Sequence, residues 1–223
     1  MKKSLTIINI CLILAILIGD IAFIISQGIE IKSATSICFF ALGFINLIFA
    51  LKNNTIYKKF AIIIVVGLFF AMLGDIFLEI EFIAGAILFA IGHIFYFVSY
   101  CYITRFKPKD LLYGFIIIIP SALFILFAPF FNFNPSIMQV LCIIYSIIIS
   151  FMVGKSISNY IQNKTLLTFI ILLGSGLFFF SDLMLLLARF GGVVEIGRFL
   201  CLATYYPAEI LLAMGILFEN KQR

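Results

Sequence analysis

The segment over residues 67–102 is almost wholly apolar, yet it contains several ionisable residues. It reads GLFFAMLGDIFLEIEFIAGAILFAIGHIFYFVSYCY and includes Asp75, Glu79, Glu81 and His93, the one histidine of the chain. An apolar window of about 20 residues is long enough to cross a bilayer, and this segment holds two such windows. Asp75 and His93 are therefore expected at membrane depth, where an ionisable side chain is costly and is a candidate for function.

The rest of the chain has the same character. Hydrophobic residues make up 65% of the 223 residues and charged residues only 11%, whereas soluble domains run at about 45–50% and about 25%. This composition predicts an all-α polytopic membrane protein, a bundle of eight transmembrane helices in a single integral membrane domain over residues 1–223. The predicted spans cover residues 4–26, 33–51, 57–79, 82–103, 111–130, 136–158, 164–188 and 197–218.

The basic residues predict the orientation of these spans. Twelve of the fifteen lie on one side, namely Lys2, Lys3, Lys52, Lys58, Lys59, Arg105, Lys107, Lys109, Lys155, Lys164, Lys221 and Arg223. Only Lys32, Arg189 and Arg198 fall on the other side, and none of the three is predicted deep enough to neutralise a buried acid. Cytoplasmic loops are enriched in Lys and Arg. We therefore expect an integral protein of the bacterial cytoplasmic membrane with both termini cytoplasmic.

Two function classes are disfavoured by the same composition. The net charge of +5 follows from this asymmetry of the loops, so it does not indicate nucleic-acid binding. The five cysteines lie in or beside apolar runs, include no C-x-x-C pair and accompany a single histidine. They are typical of small apolar packing residues, and the sequence predicts no metal site.

A weak internal repeat links two of the spans. The letters GLFF occur at 67–70 before Asp75 and again at 176–179 before Asp182. Both aspartates lie on odd-numbered spans that run in the same direction, which favours two parallel four-helix halves. A run rich in Phe and Leu can also produce such a match by composition alone.

The predicted topology brings the polar residues of the spans towards the outer side of the membrane. Asp20, Asp75 and Asp182 lie a turn or two before the outer ends of their spans. Helical spacing places His93 with Tyr96, and Tyr205 with Glu209, on shared faces. The members of the predicted cavity are Asp20, Asp75, His93, Tyr96, Asp182, Tyr205, Tyr206 and Glu209.

Simpler interpretations remain open for several of these residues. Glu79 and Glu81 suit the membrane interface, and Arg189 and Arg198 suit ordinary loops. Asp20 could be a satisfied buried acid, and His93 taken by itself could be a packing residue. Pro120 could be a harmless bend, whereas Pro207, next to Tyr205, Tyr206 and Glu209, is expected to shape the site.

The motifs LFFAMLGDIFLEI, GAILFAIGHIFYFVSY, GLFFFSDLMLLLARF and ATYYPAEIL resemble the YhhN family of membrane lysoplasmalogenases, the alkenylglycerophosphocholine and alkenylglycerophosphoethanolamine hydrolases. The similarity covers most of the chain in the order GD, GH, SD, YY. By this resemblance Asp75, His93, Asp182, Tyr205 and Tyr206 fall on the motif positions of the family. Glu209 differs, since a neutral amide such as Gln is expected there in many relatives.

The resemblance implies hydrolysis of the vinyl ether bond of a lysophospholipid, without an organic cofactor and with membrane lipids as the surroundings. It implies no nucleic-acid partner, and we predict no protein partner. The chemistry suits two carboxyl groups, one donating a proton and the other stabilising a cation or activating water, as in glycoside cleavage. We therefore predict Asp75 and Asp182 as catalytic and the remaining cavity residues as substrate-binding, with Arg189 or Arg198 at the phosphate.

Three other functions fit some of these residues. A proton-coupled transporter or lipid carrier would also use intramembrane acids and parallel halves. An intramembrane aspartyl protease would use two aspartates, but Met72 stands where a G-x-G-D motif needs glycine. A structural or lipid-sensing module would tolerate the loss of both aspartates apart from an effect on folding.

Overall fold

A computed structural model describes residues 2–218, and over this range the chain forms eight α-helices and no strand. All eight are long and apolar enough to span a membrane, which confirms the predicted fold class. The two chain ends lie outside the described residues, as do Lys221 and Arg223 of the charge pattern. The helices are α1 (Lys2–Ser26), α2 (Ile29–Lys52), α3 (Lys58–Ile80), α4 (Phe82–Tyr100), α5 (Pro108–Phe127), α6 (Ile137–Gln162), α7 (Leu166–Phe190) and α8 (Val194–Gly215).

Short connections reverse the chain between consecutive helices. The sharpest reversal is a single residue, Glu81, between α3 and α4. Its backbone is extended and its carboxylate accepts hydrogen bonds from the backbone N–H groups of Ile83 and Ala84, so it caps the first turn of α4. Glu81 is exposed, which agrees with its predicted place at the membrane interface.

Glycines allow the backbones of these antiparallel neighbours to approach closely. A Cβ atom added to Gly85 of α4 would lie 2.5 Å from the backbone of Leu78 on α3. A Cβ atom added to Gly154 of α6 would lie 2.5 Å from the backbone nitrogen of Gly114 on α5. Small residues are the usual means of close helix packing in membranes, and here they fix which faces of α3, α4, α5 and α6 meet.

Six of the helices form a closed ring in the order α2, α3, α4, α6, α7, α8. Helix α1 packs outside this ring on α2, and α5 packs outside it on α6. The order of neighbours in α1–α4 is thus repeated in α5–α8, as two parallel halves require. The repeat is broken in two places among the described residues: α1 contacts α8 whereas α5 makes no backbone contact with α4, and α3 contacts α8 whereas α7 makes none with α4.

The connections after α1, α3, α5 and α7 share one face of the ring, which we call the outer face after its predicted orientation. At the opposite, inner face a buried ion pair holds α5 to α6. Lys155 is fully buried within α6, its Nζ lies 2.6 Å from Oδ2 of Asp110, and Ser158 donates to Oδ1 at 2.5 Å. Lys155 lies at the inner face, the side predicted for it, but it is paired inside the bundle and is not exposed in a loop.

Candidate active site

Asp182 on α7 forms the centre of one polar cluster in the outer half of the ring. The Tyr145 hydroxyl donates to its Oδ2 at 2.7 Å, and Nε2 of His93 lies 3.3 Å from the same oxygen and 2.8 Å from the Tyr145 hydroxyl. The contacts are consistent with Tyr145 donating to Asp182 while it accepts from Nε2–H of His93. Both contacts use Oδ2, which leaves Oδ1 of Asp182 without a hydrogen-bond partner in residues 2–218.

Packing fixes the orientation of the His93 ring. On α4 the preceding residue, Gly92, packs against Gly67 of α3, and the His93 ring contacts Tyr145 of α6 and Phe178 of α7. The ring is fully buried and meets Phe178 edge-on, with centroids 4.6 Å apart. Its Nδ1 has no hydrogen-bond partner in the described chain. His93 therefore has one nitrogen committed to Tyr145 and a second that is free to hold a water or substrate atom.

Asp75 on α3 belongs to a second polar cluster, formed with α2. Its Oδ2 accepts a 2.5 Å hydrogen bond from Ser36, and its Oδ1 lies 3.5 Å from Nζ of Lys32. The same ammonium is 2.8 Å from Glu79, so Asp75 and Glu79 do share a helix face, as their i, i+4 spacing predicted. The side chain of Glu79 is partly exposed, which suits its predicted interfacial position.

This cluster corrects the sequence analysis on one point. The sequence predicts Lys32 in an outer loop and no Lys or Arg deep enough to neutralise the acids. Lys32 is only 4% exposed and lies in the first turn of α2, which begins at Ile29. The prediction failed because the span was started after Lys32. A buried carboxylate is stable when it is paired, and Lys32 provides that partner for Asp75.

Tyr96, Tyr205 and Glu209 lie near both clusters. The Tyr96 hydroxyl donates to Oε2 of the fully buried Glu209 at 2.8 Å. The Tyr205 ring meets Phe178 edge-on at 5.3 Å, and Phe178 also packs on His93. The Tyr205 ring also meets Phe39 of α2 edge-on at 6.2 Å, on the helix that provides Lys32 and Ser36. The eighth helix, with Pro207 inside it, therefore connects the two clusters that α3 and α7 provide.

Several buried oxygens in this region lack a hydrogen-bond partner among residues 2–218, namely Oδ1 of Asp20, Oε1 of Glu209 and the hydroxyls of Tyr205 and Tyr206. Buried polar groups are nearly always satisfied by protein or by ordered water. Asp20 contributes one of these oxygens, and both interpretations of this acid, as part of the site and as a satisfied buried group, stay predictions. Ordered water is the expected partner of such oxygens.

The two outer arginines lie beside different clusters. The Arg198 guanidinium and the Lys32 ammonium both contact the ring of Phe23, at 5.7 and 5.3 Å. The Arg189 guanidinium lies 5.0 Å from the ring of Phe82 at the start of α4. Arg198 is thus near the Asp75 cluster, and Arg189 lies on the side of the bundle where Asp182 is found.

An apolar cavity of about 480 Å³ adjoins the Asp182 cluster. It lies between α4, α5, α6 and α7, and Asp182 and Tyr145 line it together with mostly aliphatic and aromatic side chains. Asp75 does not line it. Its volume falls in the range of about 300–1,000 Å³ that is usual for small-molecule sites. A carboxyl group with an engaged oxygen and a free oxygen beside an apolar cavity can transfer a proton to an apolar substrate.

The predicted site residues thus lie in two polar clusters joined by α8, and of the predicted cavity members only Asp182 lines the apolar cavity. The structure also adds residues that sequence reasoning does not single out. Tyr145, Ser36 and Lys32 are the important additions. Tyr145 interrupts an apolar run in the sixth span, which is the one sequence signal that could have identified it. Within residues 2–218, no three His, Cys, Asp or Glu side chains are grouped closely enough to hold a metal ion.

Comparison with known proteins identifies the family of this chain. The model of the YhhN family matches residues 31–216, a segment that contains every predicted site residue except Asp20. No curated protein and no solved structure gives a match. Because the family model covers most of the sequence, from the start of α2 to the end of α8, the chain belongs to the YhhN family.

Proposed function

We propose that this protein hydrolyses the vinyl ether bond of lysoplasmalogens and releases a fatty aldehyde and a glycerophospho head group. The YhhN family is known in general as lysoplasmalogenase-like and suggests a hydrolase. The observation that carries the finer proposal is the Asp182 carboxyl group at the wall of an apolar cavity, bonded to Tyr145 and adjacent to His93. A lipid-derived substrate needs such an apolar site, and its ether bond needs a proton donor there.

The reaction proceeds through a cation. The Asp182 carboxyl donates its proton to the β-carbon of the vinyl ether, and the α-carbon and ether oxygen become an oxocarbenium ion. Water adds to the α-carbon and returns a proton to the Asp182 carboxylate, which gives a hemiacetal. Asp182 then protonates the ether oxygen as the carbon–oxygen bond breaks, and the hemiacetal hydroxyl gives its proton to the resulting Asp182 carboxylate and becomes the aldehyde, so that Asp182 ends protonated as it began. One water is consumed, as in glycoside cleavage by carboxyl groups.

The neighbours of Asp182 have roles in this scheme that follow from their contacts. Tyr145 donates to Oδ2 and thereby holds Oδ1 as the reacting oxygen. His93 is held by Tyr145 through Nε2, so its Nδ1, which has no partner among residues 2–218, accepts a hydrogen bond from the attacking water. General acid–base catalysis by such positioned groups contributes about 10²–10⁴-fold to a rate.

Asp75 remains in the proposal as the second carboxyl group, with a role different from that of Asp182. Its two oxygens are engaged by Ser36 and Lys32, and it does not line the cavity. We assign it a positioning role: its ion pair with Lys32 fixes α2 against α3 behind Tyr205 and Glu209. Asp182 is the carboxyl group that contacts the substrate.

The head group is expected near the outer face. Arg189 is exposed and contacts the ring of Phe82, which itself lines the cavity. Arg198 lies instead beside Phe23, a residue that does not line the cavity. A guanidinium group binds phosphate through paired hydrogen bonds, and we therefore propose Arg189 for the phosphate and leave Arg198 to the Asp75 cluster.

The test is aldehyde release by the purified protein in detergent. Lysolipids with a vinyl ether, an alkyl ether or an ester at the same position, each with a choline or an ethanolamine head group, form the panel. We expect aldehyde only from the vinyl ethers, because only their β-carbon can be protonated to an oxocarbenium ion. Chelators are expected to leave the rate unchanged.

A protein that is well folded but releases no aldehyde from any vinyl ether would contradict the proposal. Transport of a lysolipid or of protons by the same preparation in liposomes would then favour the carrier function. Loss of activity with a chelator, and its return with one divalent ion, would replace the carboxyl mechanism by a metal-dependent one.

A further inference from the structure

The apolar cavity is shallow relative to a lipid chain. The cavity reaches the outer face at Phe82 and Phe190. Its deepest lining residues are Phe179 on α7 and Ile149 on α6. They lie three residues from Asp182 and four residues from Tyr145, in the direction of the inner face. At 1.5 Å per residue this is a depth of about 5–6 Å below the reactive carboxyl group. A lipid chain crosses about half of the ~30 Å hydrocarbon core, so most of a chain held at Asp182 cannot fit beneath it.

The cavity has an opening on the side that would face the membrane. Helices α4 and α5 both line it, yet they make no backbone contact with each other in the described part of the chain. Ile87 on α4, Phe124 on α5 and Ile144 on α6 line the cavity while being 49%, 36% and 50% exposed. Their exposed surfaces are apolar, as expected for groups in contact with lipid, and they border the gap between α4 and α5.

Helix α5 is built to form one wall of this opening. Its inner half is fixed to α6 by the Asp110–Lys155 ion pair and by the contact of Gly114 with Gly154. Pro120, which also lines the cavity, lies inside the helix and has no N–H to donate, so the helix is weakened there. The outer part of α5, beyond Pro120, can therefore move while the inner half of the helix stays fixed to α6.

We propose that the hydrocarbon chain of a single-chain lysophospholipid enters the cavity from the membrane between α4 and α5. The first part of the chain lies against the cavity wall at Asp182, and the remainder extends through the gap into the bilayer. The phosphate lies at the outer end beside Arg189. This inference rests on the proposed function for the identity of the lipid, but it concerns binding and the route of entry rather than the reaction.

The chain contains no tryptophan, so one introduced tryptophan reports on its own surroundings. Phe124→Trp places the reporter at the gap, and Ile18→Trp places a control on the lipid-facing side of α1, where Ile18 is 66% exposed. The probe is an alkyl ether lysophosphatidylcholine brominated in mid-chain, which cannot be hydrolysed. We expect saturable quenching of the Phe124→Trp protein, reversed by the unbrominated lipid, and only a linear rise in quenching for the control.

A second variant blocks the gap. Ala86 and Ala90 line the cavity on one face of α4. The double substitution Ala86→Phe and Ala90→Phe is expected to fill this space with two aromatic rings. It should abolish the saturable quenching and reduce aldehyde release by at least tenfold. Ala84→Phe, on the same helix but outside the cavity lining, should leave both unchanged. If the double variant fails to fold, the quenching of the Phe124→Trp protein decides the question alone.

The outcomes separate the entry route from the reaction. Aldehyde release with equal, linear quenching at both reporters would overturn the entry route while the proposed reaction stands. Saturable quenching at Phe124→Trp without aldehyde from any vinyl ether would support the chain site and overturn the reaction. A folded double variant that keeps full activity would also overturn the route.

Discussion

The two halves of the molecule repeat one arrangement of helices but treat their equivalent aspartates differently. In the first half α1 closes against α8, and Asp75 has a side chain that is 3% exposed and paired with Lys32 and Ser36. In the second half α5 leaves α4 uncovered, and Asp182, with a side chain 15% exposed, adjoins the apolar cavity. The repeat therefore provides two similar arrangements of helices, and only the second has the apolar cavity beside its aspartate.

The partners of the two aspartates match this difference. The closed half surrounds Asp75 with a lysine whose ammonium also contacts Glu79, an arrangement that neutralises charge where lipid would otherwise be near. The open half surrounds Asp182 with a tyrosine and a histidine, which can hold a carboxyl group or exchange protons with it. From this comparison we propose that Asp75 mainly stabilises the fold and that Asp182 mainly takes part in the reaction.

The largest expected effect is on turnover by Asp182→Asn. The amide keeps the size of the side chain and can still accept from Tyr145, but it cannot donate a proton to carbon. We expect aldehyde release to fall by about 10²–10⁴-fold, with the melting temperature nearly unchanged, and Asp75→Asn to lose less turnover. A well-folded Asp182→Asn protein with near-normal turnover would show that this residue is not the acid.

The next effect concerns stability in the closed half. Lys32→Met leaves Asp75 and Glu79 without their cation, and breaking a buried ion pair by removing one partner costs about 3–5 kcal/mol. We expect a large fall in the free energy of unfolding, measured in detergent, and partial recovery when Asp75→Asn is added. An equal loss for Lys32→Met and for the double variant would mean that the pair does not stabilise the fold.

Tyr145→Phe tests the link between Asp182 and His93. It removes the hydroxyl that contacts both side chains, and a hydrogen bond to a charged group contributes about 1.5–3 kcal/mol. Because 1.36 kcal/mol corresponds to tenfold in rate, we expect a loss of about tenfold or more in kcat, with little change in KM. Tyr100→Phe, which removes a buried hydroxyl bonded to Ser175, is the matched control and should affect stability rather than kcat.

The smallest expected effect concerns the attachment of α5. Gly154→Ala places a methyl group against the backbone of Gly114, and such overpacking typically costs about 1–3 kcal/mol. Thermal unfolding measures the effect. Gly176→Ala is the control, because nothing lies within 4 Å of an added Cβ there, and alanine should stabilise that helix by up to about 1 kcal/mol. Equal melting temperatures for both variants would contradict the close contact between α5 and α6.

The sequence by itself determined the eight spans, their alternating directions and most of the polar residues that face inwards. It could do so because a lipid environment requires about 20 apolar residues per span and penalises every unpaired ionisable group. Residues such as Asp75, Asp182, His93 and Glu209 therefore stood out against an apolar background. The GLFF repeat likewise indicated the parallel halves that the order of neighbours displays.

Only the tertiary structure decided which of these residues meet. Lys32 was predicted in a loop but lies against Asp75, Tyr145 was not singled out but binds Asp182, and the gap between α4 and α5 has no signature in the sequence. Such contacts depend on how each helix is rotated about its axis and at what depth it crosses its neighbour. Those two quantities are set by packing between residues far apart in the chain, which hydropathy and spacing along one helix do not contain.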